Sequence, residues 1–302
     1  MDIADKRAGA DQKLIAIALV LVAMLAFAVM DGLAKHVAVS LAIPQILLVR
    51  YLVFAVLVLA IIRLQRHRIR TVATSTRPGL QLFRALLLLC ESTCFMIAFR
   101  YLPLADVHAI AAAAPLVVVA MSFLLLGEPV GPRRIAAVLA GFAGVLLIVR
   151  PGFAELNTGV LVSMLAAFLW GAYQIVVRLC ARNDSAATTT VWTALVGFGV
   201  AAALGPYHWI WPSQEQWIYL IAIAALGALA HVTLIKALSL AEAALLQPYS
   251  YTLFIWTIGV GYLMFGDLPD SWTLAGAAII IASGVYVWHR ERTLIPNETS
   301  KS

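Results

Sequence analysis

"FLLLGEPVGPRRIAAVLAGFAGVLLIV" runs from Phe123 to Val149, and "YLMFGDLPDSWTLAGAAIIIASGVYV" runs from Tyr262 to Val287. Each reads as an apolar run, a Gly, an acid, a proline-containing turn, and a second apolar run dotted with Gly. The first turn carries Arg133 and Arg134. The second carries Asp267 and Asp270 and no base. One chain thus holds the same segment twice, the second time without its positive charge.

Hydrophobic residues make up 63% of the 302-residue chain and charged ones 12%, and the mean hydropathy is +0.95. A soluble domain has about 45–50% apolar and about 25% charged residues. Apolar runs recur at 14–34, 44–62, 80–99, 106–126, 132–150, 158–179, 187–205, 216–237, 243–265 and 271–288. They are close to the roughly 17–25 residues that span a bilayer as helix. They lack strict apolar/polar alternation, so they are expected as helices and not barrel strands. The fold class read here is an all-α integral membrane protein of ten transmembrane helices.

The net charge of +6 does not point to nucleic acid, because the bases sit in short loops where membrane topology puts them. Cys90, Cys94 and Cys180 have no paired spacing, which argues against a disulfide framework. Cys90 and Cys94 read as small helix-packing residues. The polar start "MDIADKRAGADQK" leads into a run too long for a signal-peptide core, so a retained first helix is expected.

Threading ten spans with the N-terminus inside puts 17 of the 21 Lys and Arg on the inner side. The other four are Lys35, Arg50, Arg100 and Arg150. The positive-inside rule then predicts both termini inside. The two repeated turns lie five spans apart, hence on opposite sides, and the second turn faces outward where positive charge is disfavoured. An inverted 5+5 repeat follows, 14–150 and 151–289, with 290–302 as a cytoplasmic tail. Such repeats place a substrate site near the midplane, between the halves.

"FRYLPLADVHAIAAAAPLVVVAMSFLLLGEPVGPRRIAAVLAGFAGVLLIVRPG" and "LIKALSLAEAALLQPYSYTLFIWTIGVGYLMFGDLPDSWTLAGAAIIIASGVYV" resemble the two halves of the EamA-type transporters of the drug/metabolite transporter superfamily. The likeness covers roughly residues 14–289. It implies ten helices, a central cavity, alternating access, and a bacterial inner-membrane location. Members of that family move amino acids, other metabolites or drugs, often outward. Size and layout are also similar to its bacterial aromatic amino-acid exporter branch. The resemblance thus implies a secondary transporter, with export of amino acids as the favoured activity. A facilitative channel-like carrier, or an uptake permease for another metabolite or drug, is the alternative. A membrane enzyme is least favoured: no metal-spaced cluster, nucleophile elbow or P-loop is present, and no cofactor is expected.

Glu91 sits mid-run in "LLLLCESTCFMIAF". Ionisable groups at that depth usually face the bundle interior or a water-filled cavity. It reads either as a proton or substrate-ammonium site, or as a structural Glu bonded to a neighbouring helix. Arg84, seven residues earlier, is not an obvious direct partner. Asp31 and Lys35 are four apart and read as a helix ion pair. His108 and His231 read as helix-to-helix hydrogen bonds rather than proton carriers. Trp170, Tyr173 and Gln174 share one helix face, either as cavity wall or as packing. Pro115 and Pro248 interrupt runs in both halves, at unequal depth, and are expected kinks that free carbonyls at a cavity. Gln247 and Tyr249 beside Pro248 complete the expected substrate site. Trp209, Trp211 and Trp217 fit an outer interfacial belt. The expected partners are a small-molecule substrate, the lipid bilayer, and protons as candidate coupling ions.

Overall fold

The computed structural model describes residues 3–66, 68–114, 117, 118, 121, 132–150, 157–240 and 243–294. Pro115 lies outside the described residues, as do the side chains of Arg133, Arg134 and Gln247. Among the described residues every regular element is helical: α1 (Ile3–Ala38), α2 (Ile43–Leu64), α3 (Ile69–Ala73), α4 (Pro78–Phe99), α5 (Leu104–Ala111), α6 (Pro132–Val149), α7 (Thr158–Ala181), α8 (Ala186–Leu204), a short 3-10 turn (Gly205–His208), α9 (Gln214–Leu240), α10 (Ala243–Ser250), α11 (Thr252–Phe265) and α12 (Ser271–Leu294). Six of them, in α1, α2, α4, α7, α8 and α9, contain segments long and apolar enough to cross a membrane, and Ile135–Val149 and Ser271–Tyr286 are shorter apolar helices. The chain is a multi-pass membrane protein.

The helix boundaries follow local chemistry. Pro44 and Pro78 stand in the first turns of α2 and α4, where a missing N–H costs nothing. The Asn157 side chain accepts from the Val160 N–H at 3.0 Å, and Ser185 from the Thr188 N–H at 3.1 Å, capping α7 and α8. Gly266, with φ of 72°, ends α11 in the left-handed region that only glycine enters freely. The run 243–265 is divided, as expected for a chain with Pro248 inside a helix. The break falls at Tyr251, and the Thr252 hydroxyl donates to the Tyr249 carbonyl at 2.6 Å. The run 106–126 is also interrupted: α5 ends at Ala111 and a turn follows at 112–113.

The helices pack in a regular pattern. The principal pairings are α1 on α9 and α4 on α7; α1 on α11 and α5 on α7; α2 on α9 and α4 on α8; then α2 on α8, α5 on α11, and α6 on α12. The α6–α12 contact is backbone to backbone. A side-chain carbon on Gly144 would meet the Gly276 carbonyl at 2.7 Å, and one on Gly276 would meet the Gly144 carbonyl at 2.6 Å. Small residues permit such approach, which is how helices gain packing where lipid offers no hydrophobic drive.

Loops gather at two ends. At one end Lys35 bonds the Leu102 carbonyl and Asp267, Arg100 bonds the Ala38 and Leu41 carbonyls, Gln45 exchanges two bonds with Ile210, and Arg150 pairs with Asp270. Trp209, Trp211 and Trp217 stack there edge to face and tilted. At the other end, Ser75, Thr76 and Gln81 all donate to Asp184. Those bonds, with Ser75 first, hold the Asp184 carboxyl down at about 2. The Trp192 indole donates to the Ala73 carbonyl at 3.0 Å beside them.

Candidate functional site

Glu91 of α4 is 8% exposed. Its hydrogen bond is from its neighbour's Ser92 hydroxyl, at 3.1 Å. Arg50 of α2 and Asp31 of α1 are within electrostatic reach of it, and so are Tyr51 of α2 and Tyr173 of α7. Asp31 lies 3.2 Å from Nε2 of His108 on α5, close but not aligned as a hydrogen bond. His108 stacks on Phe95 of α4 at 5.7 Å. Five helices thus bring two carboxylates, a guanidinium, an imidazole and two phenols to one interior region.

The expected Asp31–Lys35 ion pair does not form. Lys35 lies one turn nearer the helix end, and its ammonium donates to Leu102 and Asp267 in the loop layer. Asp31, a turn deeper, meets His108 instead. His231 also departs from its expected helix-to-helix bond. Its Nδ1 is 2.8 Å from the Gly227 carbonyl of its own helix, and its ring meets Phe27 and Phe54 edge on and tilted.

Two arginines counted as loop bases are inside the bundle. Arg84 is fully buried. Its Nε donates to Gln81 at 3.1 Å, Nη1 to the Tyr173 hydroxyl at 3.2 Å, and Nη2 to the Thr189 carbonyl and the Thr193 hydroxyl, both at 2.8 Å. Arg50 stands seven residues beyond Ile43 in α2, about 10 Å along the axis. Its Nε is 3.8 Å from the point a Gly227 side-chain carbon would occupy on α9. It is half-buried and has no hydrogen-bond or ion-pair partner among the described residues. Arg50 is a member of this candidate region that sequence reading missed. The signal was there: position 50 falls inside the run 44–62, where a base invites the same question as Glu91.

The other described site residues lie on α7 and α10. Tyr173 belongs to the Glu91 region through Arg84, whose guanidinium carbon is 5.6 Å from its ring. Trp170 stacks on Tyr173 at 5.3 Å and is about a third exposed. Gln174 is half-buried on the same helix. Tyr249 packs against Ala16, Val20 and Leu246, a cluster that Phe27 also borders. Cys90, expected to pack between helices, is exposed on the outer face of α4.

Chemically, this region offers an open guanidinium, two carboxylates and aromatic walls at membrane depth, and it groups no metal-ligand set among the described residues. That suits holding a charged organic molecule by paired charges and ring contacts.

Comparison with known proteins agrees with a transport role. The chain is 29% identical to the riboflavin transporter of Vibrio cholerae over 90% of this chain and 93% of that protein. It is 25% identical to the S-adenosylmethionine uptake transporter of Rickettsia felis, over 75% and 76%. It is 28% identical to the pseudopaline exporter of Pseudomonas aeruginosa, over 87% and 93%. A solved crystal structure shares the fold with a TM-score of 0.63 at 19% identity, covering 93% of this chain and 98% of that one. The EamA-like transporter family matches residues 14–150 and again 157–288, so the chain belongs to that family.

Proposed function

We propose that the protein is a secondary transporter of small charged organic metabolites in a bacterial inner membrane. It works by alternating access between two five-span halves of inverted topology, with both termini cytoplasmic. The observation that carries this reading is the group of ionisable side chains at membrane depth. Asp31, Arg50 and Glu91 come from one half, while Tyr173 and His231 come from the other. Such groups are expensive in a bilayer and mark substrate or ion pathways.

The helix pairings support the halves. Exchanging α1 with α7, α2 with α8, α4 with α9, α5 with α10–α11, and α6 with α12 maps every principal pairing onto another or onto itself. The loop contacts support the topology, because each joins ends that an N-in, ten-span threading puts on one side. The relatives bear names of uptake and of export, so direction is a separate matter. Amino-acid export is the narrower version of the proposal; the relatives' names put riboflavin, S-adenosylmethionine and pseudopaline beside it. Proton coupling through Glu91 is part of the same reading.

The test is counterflow in liposomes holding the purified protein, with labelled phenylalanine, S-adenosylmethionine and riboflavin, with and without a pH gradient. Uphill movement of at least one probe is expected. Strictly downhill flux would replace coupling by facilitation, and no probe moving faster than in empty liposomes would overturn transport of this class.

A further inference from the structure

We infer that Arg50 is the anchor for a carboxylate on the substrate, and that the substrate class is a carboxylate-bearing metabolite with a cationic centre. The inference rests on the transport reading above.

A guanidinium carries five N–H donors and no acceptor, and it stays charged. Within a membrane those donors must find partners. Arg84, also within the bundle, shows what a settled arginine looks like: it is fully buried and bonds four different groups. Arg100 has two carbonyls and Arg150 has Asp270. Arg50 lies about 10 Å into α2 and none of its donors meets a described residue. It is not sealed in either, because it keeps part of its surface. Its field extends over Glu91, His231 and Tyr51, the residues of the central region.

Geometry explains why it is left open. Gly227 faces it from α9 and brings no side chain of its own: a carbon added there would meet the Met30 sulfur at 3.0 Å and Arg50 Nε at 3.8 Å. Glu91 is near enough to feel the charge but forms no ion pair with it. The pair is bipolar: a planar fork that matches a carboxylate bidentately, and a carboxyl group within reach of its charge. Phe54 and Phe27 meet the ring of His231, which lies within reach of the Arg50 charge. A molecule with a carboxylate and a cationic centre completes both ends. A neutral one leaves the guanidinium unmet.

The probes are phenylalanine, phenylalaninamide, S-adenosylmethionine and riboflavin, applied to the full chain in lipid nanodiscs and liposomes. Phenylglyoxal labelling of Arg50, read by peptide mass spectrometry, is expected to slow at least tenfold with a carboxylate probe and not with phenylalaninamide. Arg50→Gln is expected to elute as a folded protein and to lose counterflow of carboxylate probes tenfold or more. Arg50→Lys, which keeps the charge but not the fork, is expected to recover part of it. An Arg50 that labels equally with every probe, or not at all, overturns the anchor. So does R50Q transport equal to the parent, which leaves the transport reading standing. Arg50-dependent protection without any transport sustains the anchor and overturns the transport reading instead.

Discussion

Arg84 and Arg50 are the same residue type in adjacent apolar helices, and they do opposite things. Arg84 is saturated: Gln81, Tyr173, Thr189 and Thr193 take its donors and it has no exposed surface. It ties α4 to α7 and α8. Arg50 faces α9 across Gly227 with its donors open among the described residues. The lesson is that depth alone does not mark a functional charge in a bundle. What separates the two is whether the protein itself completes the hydrogen bonds.

The largest effect is expected from breaking the saturated member. Arg84→Ala empties a fully buried site and strands the Gln81 side-chain carbonyl and the Tyr173 hydroxyl, and each buried group left unsatisfied costs about 1–3 kcal/mol. Against a total stability of about 5–15 kcal/mol, the variant is expected to be lost from the membrane or to aggregate on extraction. Size-exclusion chromatography of the detergent-solubilised protein checks this. A monodisperse R84A peak at parental yield would place Arg84 outside the fold's support.

Next is the α6–α12 contact. Gly144→Leu drives a side chain into the Gly276 carbonyl, closer than any real contact. Overpacking typically costs about 1–3 kcal/mol, so a drop of several degrees in the thermal midpoint is expected, with Leu139→Ala on the exposed face as control.

Glu91→Gln sharpens the comparison from the functional side. Removing a carboxylate whose hydrogen bond comes from the adjacent Ser92 is expected to leave the fold within about 1 kcal/mol, the usual range where no network is broken. Transport is expected to fall or to lose its dependence on pH. Unchanged counterflow across a pH series would return Glu91 to a structural role.

The smallest effect concerns Asp184. Hydrogen bonds from Ser75, Gln81 and Thr76 lower its carboxyl to about 2. A depressed acid contributes stability above its unfolded value, about 3.9, and loses that contribution as pH falls through the folded one. The loop contact is therefore expected to hold from neutral pH down to about 4 and to loosen below it. Hydrogen exchange at the Thr76 amide, which donates to Asp184, reads this directly.

The helical membrane fold was legible because apolar run length and the absence of alternation leave little else. The family was legible in the doubled Gly-acid-Pro turn. The site was legible only in part. Glu91 stood out because a lone acid in an apolar run is costly, whether it serves a substrate or a neighbouring helix. Arg50 did not, because counting bases by side absorbed it into a topology argument before its depth was weighed. The burial of Arg84 was missed for the same reason. Asp31 was read by spacing along its own helix, while its contact comes from α5. Partners across helices are not written in local spacing.

The most direct measurement takes R50Q and R84Q through one protocol: thermal midpoint in detergent, then phenylalanine and S-adenosylmethionine counterflow per unit of folded protein. R50Q is expected to keep the parental midpoint and lose carboxylate transport at least tenfold, while R84Q loses midpoint and yield. Equal loss of stability in both, or full transport by a stable R50Q, would contradict the division between a completed arginine and an open one.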